Sequence, residues 1–170
     1  MTQTSFPERV ADWPAAAVAG VAAGAILMVL DLFWSVAVTD AGPWAAPRMI
    51  AAIAMGPHVL QSSGFDLSVV GFALLAHYAF GIAGGLLLAA ISAALRLDSS
   101  LGLAALTGAV FGAGLYLFNF YGMANFFPWF AEIRGWPTFL INLIFGMSAA
   151  TLYWKLKRRG ESDHALREAT

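Results

Sequence analysis

The stretch Pro14–Val38, "PAAAVAGVAAGAILMVLDLFWSVAV", decides the fold. Asp31 is its only charge, and no proline follows its first residue. A helix rises about 1.5 Å per residue, so roughly 17–25 apolar residues cross the hydrocarbon of a bilayer. The run is long enough to do so. It is also longer than the core of about 7–15 residues in a secretory signal. Its flank mixes Arg9 with Glu8 and Asp12, and no clear A-x-A site follows. It is therefore read as a retained span.

Three further runs repeat the pattern. Leu67–Leu95 contains His77 as its one residue that titrates near neutral pH, and Leu101–Phe118 and Pro137–Trp154 follow. Over all 170 residues, 60% are hydrophobic and 11% charged. Soluble domains have about 45–50% and about 25%. The predicted fold class is an all-α integral membrane protein with four transmembrane helices, near 14–38, 67–95, 101–122 and 137–157. They make one transmembrane domain, 14–157, between a cytoplasmic N-terminal segment, 1–13, and a charged cytoplasmic tail, 158–170. There is no cysteine, which excludes disulfides, thiol nucleophiles and thiolate metal sites.

Charge sets the expected orientation. Four spans put both termini on one side, together with Arg9, Arg96, Lys155, Lys157, Arg158, Arg159 and Arg167. The opposite side holds only Arg48 and Arg134. Positively charged loops stay inside, so both termini are expected in the cytoplasm. The Ala/Gly-rich composition suggests a bacterial source, and hence the inner membrane. The "KLKRR" cluster at 155–159 is first a topology anchor and second a site for anionic headgroups. Basic residues are few and the acidic "GESDHALREAT" follows them, which argues against nucleic acid as a partner.

The outer connections carry their own signals. "NFYGMANFFPWFAEIRGW", Asn119–Trp136, is too polar for mid-membrane and too aromatic for an ordinary loop. Amphipathic rings gather at the membrane–water interface. Trp44, Phe126, Phe127, Trp129, Phe130 and Trp136 are therefore expected interfacial anchors, beside the outer-loop polar residues Arg48, His58, Glu132 and Arg134. In the first outer connection, "PRMIAAIAM" from Pro47 is helical in character and stopped by Gly56-Pro57. It is too short to span and is expected to lie at the interface. "SGFD" at Ser63–Asp66 has the form of a capping box for the second long helix.

The chain also repeats itself. "GVAAGAILMVLD" from Gly20 matches "GAVFGAGLYLFN" from Gly108. Each has Gly, a second Gly four residues later, then a polar residue seven further on. Aromatics follow, then Pro-Trp and an arginine: Pro43, Trp44 and Arg48 against Pro128, Trp129 and Arg134. "HYAFG" from His77 matches "NLIFG" from Asn142. The expected architecture is two helical hairpins in parallel orientation, related by an axis along the membrane normal.

The repeat pairs Asp31 with Asn119 and His77 with Asn142. All four belong to the outer half of the spans. A charge at the bilayer centre costs at least ~2.5–3.5 kcal/mol, so such groups turn inward and find partners. One reading is structural: Asp31 and His77 form an ion pair or hydrogen bond, the two amides join helices, and the Gly-x3-Gly pairs let backbones approach. The other is that the four bind a proton, an ion or a small polar ligand, since histidine titrates near neutrality. Metal ligation lacks ligand spacing among Asp31, His58 and His77. Haem would need an axial ligand such as His58 or His77, and nothing else points to it. No metal, cofactor or catalytic residue is expected. The chain has no G-x-S-x-G, H-E-x-x-H, P-loop or G-x-G-x-x-G motif.

The layout resembles the YagU-like family of small bacterial inner-membrane proteins. The resemblance rests on the acid closing "AGAILMVLD", on "HYAFGIAGGLLLA", on a polar-then-aromatic end to the third helix, on "FFPWF" and on the "WKLKRR" tail. It covers roughly residues 15–159. It implies the fold and location given above. It also implies histidines near Asn119 and Asn142, where this chain departs from the pattern. The expected function is non-enzymatic binding or passage of a proton, ion or small solute. The alternative is an accessory or assembly subunit of a larger complex. The bilayer is the first expected partner. A homo-oligomer or larger complex formed through Gly-rich faces is the second.

Overall fold

The computed structural model describes residues 11–38 and 41–168. Five α-helices run in order: α1 (Trp13–Ala37), α2 (Ala45–Met55), α3 (Leu67–Leu95), α4 (Leu101–Leu117) and α5 (Trp136–Glu168). Short 3-10 turns cover Pro57–Gln61, Met123–Asn125 and Pro128–Ala131, and a π turn covers Phe118–Gly122. There is no strand among the described residues. Four helices are long and apolar enough to cross a membrane: Trp13–Ala37, Leu67–Leu95, Leu101–Asn125 and Trp136–Arg167.

Local chemistry starts each of the first three. The Asp12 carboxylate accepts from the Ala15 amide at 3.0 Å, and Pro14 occupies the first turn, where its missing N–H costs nothing. Asp66 caps α3, accepting from the Ser68 and Val69 amides at 2.8 and 3.3 Å and from the Ser68 hydroxyl at 2.6 Å. The cap is thus Asp66 itself. The capping box expected from Ser63 does not form, because α3 begins at Leu67 and Ser63 lies too far upstream. These three bonds hold the Asp66 carboxyl below the usual carboxylate range, the Ser68 hydroxyl contributing most. Ser100 caps α4 through the Leu103 amide at 3.2 Å.

The packing places small residues inside and large ones outside. Ala16, Ala19, Ala23, Ala89 and Ala149 are buried, and Leu88 is the largest side chain fully enclosed. Val18, Val29, Leu75, Phe80, Leu87, Leu106 and Val110 are exposed. Water would reverse that distribution, whereas lipid accepts it, and small residues then bring backbones together.

Glycines make the closest approaches. A Cβ added to Gly85 would lie 2.5 Å from the Ala16 carbonyl oxygen, and one on Gly81 would lie 2.9 Å from that of Gly20. These contacts join α1 to α3. On the other side, a Cβ on Gly112 would lie 3.0 Å from Leu143 Cα, and one on Gly108 2.8 Å from Ala150 Cβ. These join α4 to α5. Helices α1 and α5 also run together. The Asp12 amide donates to the Tyr153 hydroxyl at 3.3 Å near one end, and Trp34 and Trp136 meet edge-on at 5.7 Å near the other. By contrast α3 and α4, consecutive in sequence, scarcely touch. The packing order is therefore α3, α1, α5, α4.

Two connections are pinned. In the turn after α3, Arg96 adopts the left-handed conformation (φ 57°), and the buried Asp98 pairs with Lys157 Nζ of α5 at 2.6 Å. Arg158 donates to the Ser99 carbonyl. At the other end of the bundle, Ala51 and Ala52 of α2 pack with Val59 and Val69, against Phe72 and Trp129. The Trp129 indole N–H donates to the Met49 carbonyl at 3.1 Å, tying the α4–α5 connection to α2.

Helix α5 runs on to Glu168, past the end near 157 expected from hydropathy. The segment lacks proline and carries the helix formers Arg, Glu, Ala and Leu, so an existing helix propagates through it once apolar burial has ended.

Candidate functional site

Helical spacing sets which side chains face inward. On α1, Gly20, Gly24, Leu27, Asp31 and Ser35 recur at intervals of three or four, on one face. Gly20, Gly24 and Ser35 are buried on it, and Leu27 packs against the buried Ala23, Leu88 and Phe145 cluster. Asp31 thus shares the inward face and is half-buried. On α4 and the π turn, Gly108, Gly112 and Tyr116 lead in the same way to Asn119, also half-buried. His77 and Asn142 are buried, 9% and 7% exposed.

The hydrogen bonds separate these four residues. The His77 Nε2–H donates to the Gly24 carbonyl at 2.7 Å. A carbonyl can only accept, so Nε2 carries the hydrogen in this arrangement. Asp31 lies seven residues beyond Gly24, about 10 Å further along the helix axis. The Asn142 amide turns back on its own helix and donates to the Thr138 carbonyl at 2.8 Å. Asp31 and Asn119 make no side-chain hydrogen bond or ion pair among the described residues. The four face one interior at staggered levels, and none bonds to another. Ser35, one turn beyond Asp31, donates to the Gly42 carbonyl at 2.6 Å.

The polar and aromatic residues of the α1–α3 and α4–α5 connections divide by their contacts. Arg134 donates through Nε to the Phe120 carbonyl in the π turn, and its guanidinium lies 4.3 Å from the Tyr121 ring centre. Arg48, on the α2 face that carries Ala51, Ala52 and Met55, is half-buried, and its Nη1 is enclosed without a hydrogen-bond partner. His58 and Glu132 are exposed. Among the aromatic residues, Phe126 (78%) and Trp136 are strongly exposed. Trp44 stacks edge-on with Phe65 at 5.1 Å. Phe127, Trp129 and Phe130 form one half-buried cluster with Phe120 behind it. Among the described residues, no three His, Asp or Glu side chains gather as metal ligands would.

Sequence reasoning missed two partners. Gly24 was visible as a small residue, but nothing in its spacing assigns its carbonyl to His77. The enclosed nitrogen of Arg48 has no sequence signal, because it depends on how α2 folds back over α3. Comparison with known proteins finds no matching family model, curated protein or solved structure.

Proposed function

We propose that this is a bacterial inner-membrane protein of the YagU-like type, with four spans and both termini in the cytoplasm. It takes up a proton, an ion or a small solute at the inward-facing polar residues of its outer half and carries out no catalysis. The two hairpins are parallel repeats. This is supported by matching contacts: Gly20 meets Gly81 as Gly108 meets Gly146, and Gly24 meets His77 as Gly112 meets Asn142. Helix α2 then rests at the outer interface, and Trp44, Phe126 and Trp136 serve as interfacial anchors.

One observation carries the functional reading. Asp31 and Asn119 face the interior with no partner, and His77 uses one ring nitrogen and leaves the other unbonded among the described residues. Ionisable groups inside a membrane are expensive and are kept where they handle charge. The proton is the first cargo to test, because a carboxyl and an imidazole are both proton-exchanging groups. The full chain, sealed in vesicles with an internal pH dye, is expected to dissipate an imposed pH gradient faster than empty vesicles do. Asp31→Asn with His77→Asn is expected to return the rate to background. A wild-type rate equal to that of empty vesicles, or a double variant as fast as wild type, would overturn proton handling.

The accessory-subunit reading rests on a different observation. Gly71 and Gly114 have nothing within 4 Å of an added Cβ, so they offer close-approach surfaces outside the bundle. Cross-linking in native membranes to a single larger partner, lost in Gly71→Leu, would favour it. The orientation is tested separately. A cytoplasm-dependent reporter is expected to be active after Thr170 and silent after Ser63, and the reverse pattern would contradict it.

A further inference from the structure

The two arginines of the outer connections are unlike in one respect. Arg134 is satisfied by the Phe120 carbonyl and the Tyr121 ring. Arg48 is not: Nη1 is sealed from solvent and no acceptor reaches it. A guanidinium cannot shed its proton to escape this, so an enclosed N–H without an acceptor keeps its full desolvation penalty. Such groups in folded proteins call for an explanation, and an absent ligand is one. Among the described residues the carboxylates of this end do not supply it. Asp66 is occupied by the α3 cap, Glu132 is exposed, and Asp31 makes no ion pair among the described residues. Arg48 shares its helix face with Ala51 and Ala52, which are packed against α3. Its head is therefore directed into the protein, and it is not displayed as a solvated surface charge.

We propose that Arg48 is the recognition residue of an oxyanion site at the α2 end of the bundle, taking a carboxylate or phosphate group on its planar fork. The guanidinium matches both groups with two parallel N–H···O bonds, which a lysine could not offer. The half-buried side chain leaves part of the guanidinium open to an anion from outside, and a small shift of the head brings the enclosed nitrogen to the same anion as its second donor. The site makes no bond to Asp31, His77, Asn119 or Asn142 among the described residues and does not depend on what they do. Its occupant is either a free anion or the phosphodiester of a lipid headgroup, since both present the same oxygens.

The test uses the full chain in a phosphate-free maltoside detergent. Thermal unfolding is followed while acetate, inorganic phosphate or short-chain phosphatidylglycerol is titrated, with chloride holding the ionic strength constant. At least one of the three is expected to stabilise wild type saturably. A response to acetate or inorganic phosphate assigns a free anion, and a response to the lipid alone assigns a headgroup. Arg48→Gln is expected to weaken the half-saturating concentration on the order of 30-fold or more, as losing one partner of a desolvated charge pair does. Arg134→Gln is expected to leave it unchanged. If Arg48→Gln does not fold, Arg48→Lys serves, since it keeps the charge and loses the fork. No saturable response in wild type, or one equal in the Arg48 and Arg134 variants, overturns the site.

Discussion

The two glycine-seamed helix pairs, α1–α3 and α4–α5, differ at one level. Between α4 and α5, Gly112 lies directly beneath the backbone of Asn142, and an added Cβ would lie 2.9 Å from the Asn142 carbonyl carbon. Between α1 and α3, a Cβ on Gly24 would meet the His77 ring, at 3.7 Å from Nε2. The amide of Asn142 is short enough to fold back on Thr138, leaving the helices free to close. The imidazole of His77 is longer and rigid, and it reaches across to the Gly24 carbonyl. So at this level one helix pair is in backbone contact and the other is bridged by a polar side chain. Residue size at a single position separates a seam from a site.

The comparison breaks first at the α4–α5 seam. Gly112→Val puts a branched side chain into the Asn142 backbone, which cannot rotate away. The expected loss is about 3 kcal/mol or more, above ordinary overpacking of ~1–3 kcal/mol. Reversible unfolding in mixed micelles measures it, and a loss below ~1 kcal/mol would mean the seam is looser than described.

The next effect is at His77. Asn in its place cannot reach Gly24, so one interhelical hydrogen bond is lost, worth about 0.6–1.7 kcal/mol inside a membrane. A distance measured between spin labels at the α2-side ends of α1 and α3 is expected to shorten as the two helices close. A lengthened distance would show that His77 holds the helices together and does not keep them apart.

Gly24→Ala is smaller still. Its methyl has ordinary contact room, and alanine favours helix by up to ~1 kcal/mol. Stability is expected to change by under ~1 kcal/mol, in contrast to Gly112→Val in the same assay. Equal damage at the two positions would remove the distinction between the helix pairs.

The smallest effect concerns the carboxylate cap that opens α3. Asp66 has its folded pKa below its ordinary value of 3.8. Its contribution is therefore present above the unfolded pKa and is lost as pH falls through the folded one. Wild type is expected to lose stability relative to Asp66→Asn as pH falls below about 4. A difference that grows with acidity in wild type's favour would refute the cap.

Much of this fold was legible because hydropathy reports burial in lipid directly. The four long helices follow from runs such as Leu67–Leu95, and the close seams from Gly20, Gly81, Gly108 and Gly146. The cost of a polar group in lipid also turned Asp31, His77, Asn119 and Asn142 inward. What that cost does not contain is level. Whether His77 stands opposite Asp31 or Gly24 depends on how far α3 slides along α1, and that is set by glycine contacts such as Gly85 on Ala16. The length of α5 was hidden for another reason: hydropathy ends at the membrane surface, whereas helix propagation does not. The Trp129–Met49 bond joins segments that no local pattern relates.

The His77–Gly24 contact is open to direct measurement. The full chain in bilayers, with 15N-histidine and carbonyl-13C-glycine, allows dipolar recoupling between Nε2 and a glycine carbonyl. The account expects a protonated Nε2 with a short-range coupling that disappears in Gly24→Ala, which keeps the carbonyl but not the label. A coupling to labelled aspartate carboxyl instead, or none to glycine that depends on position 24, would contradict it.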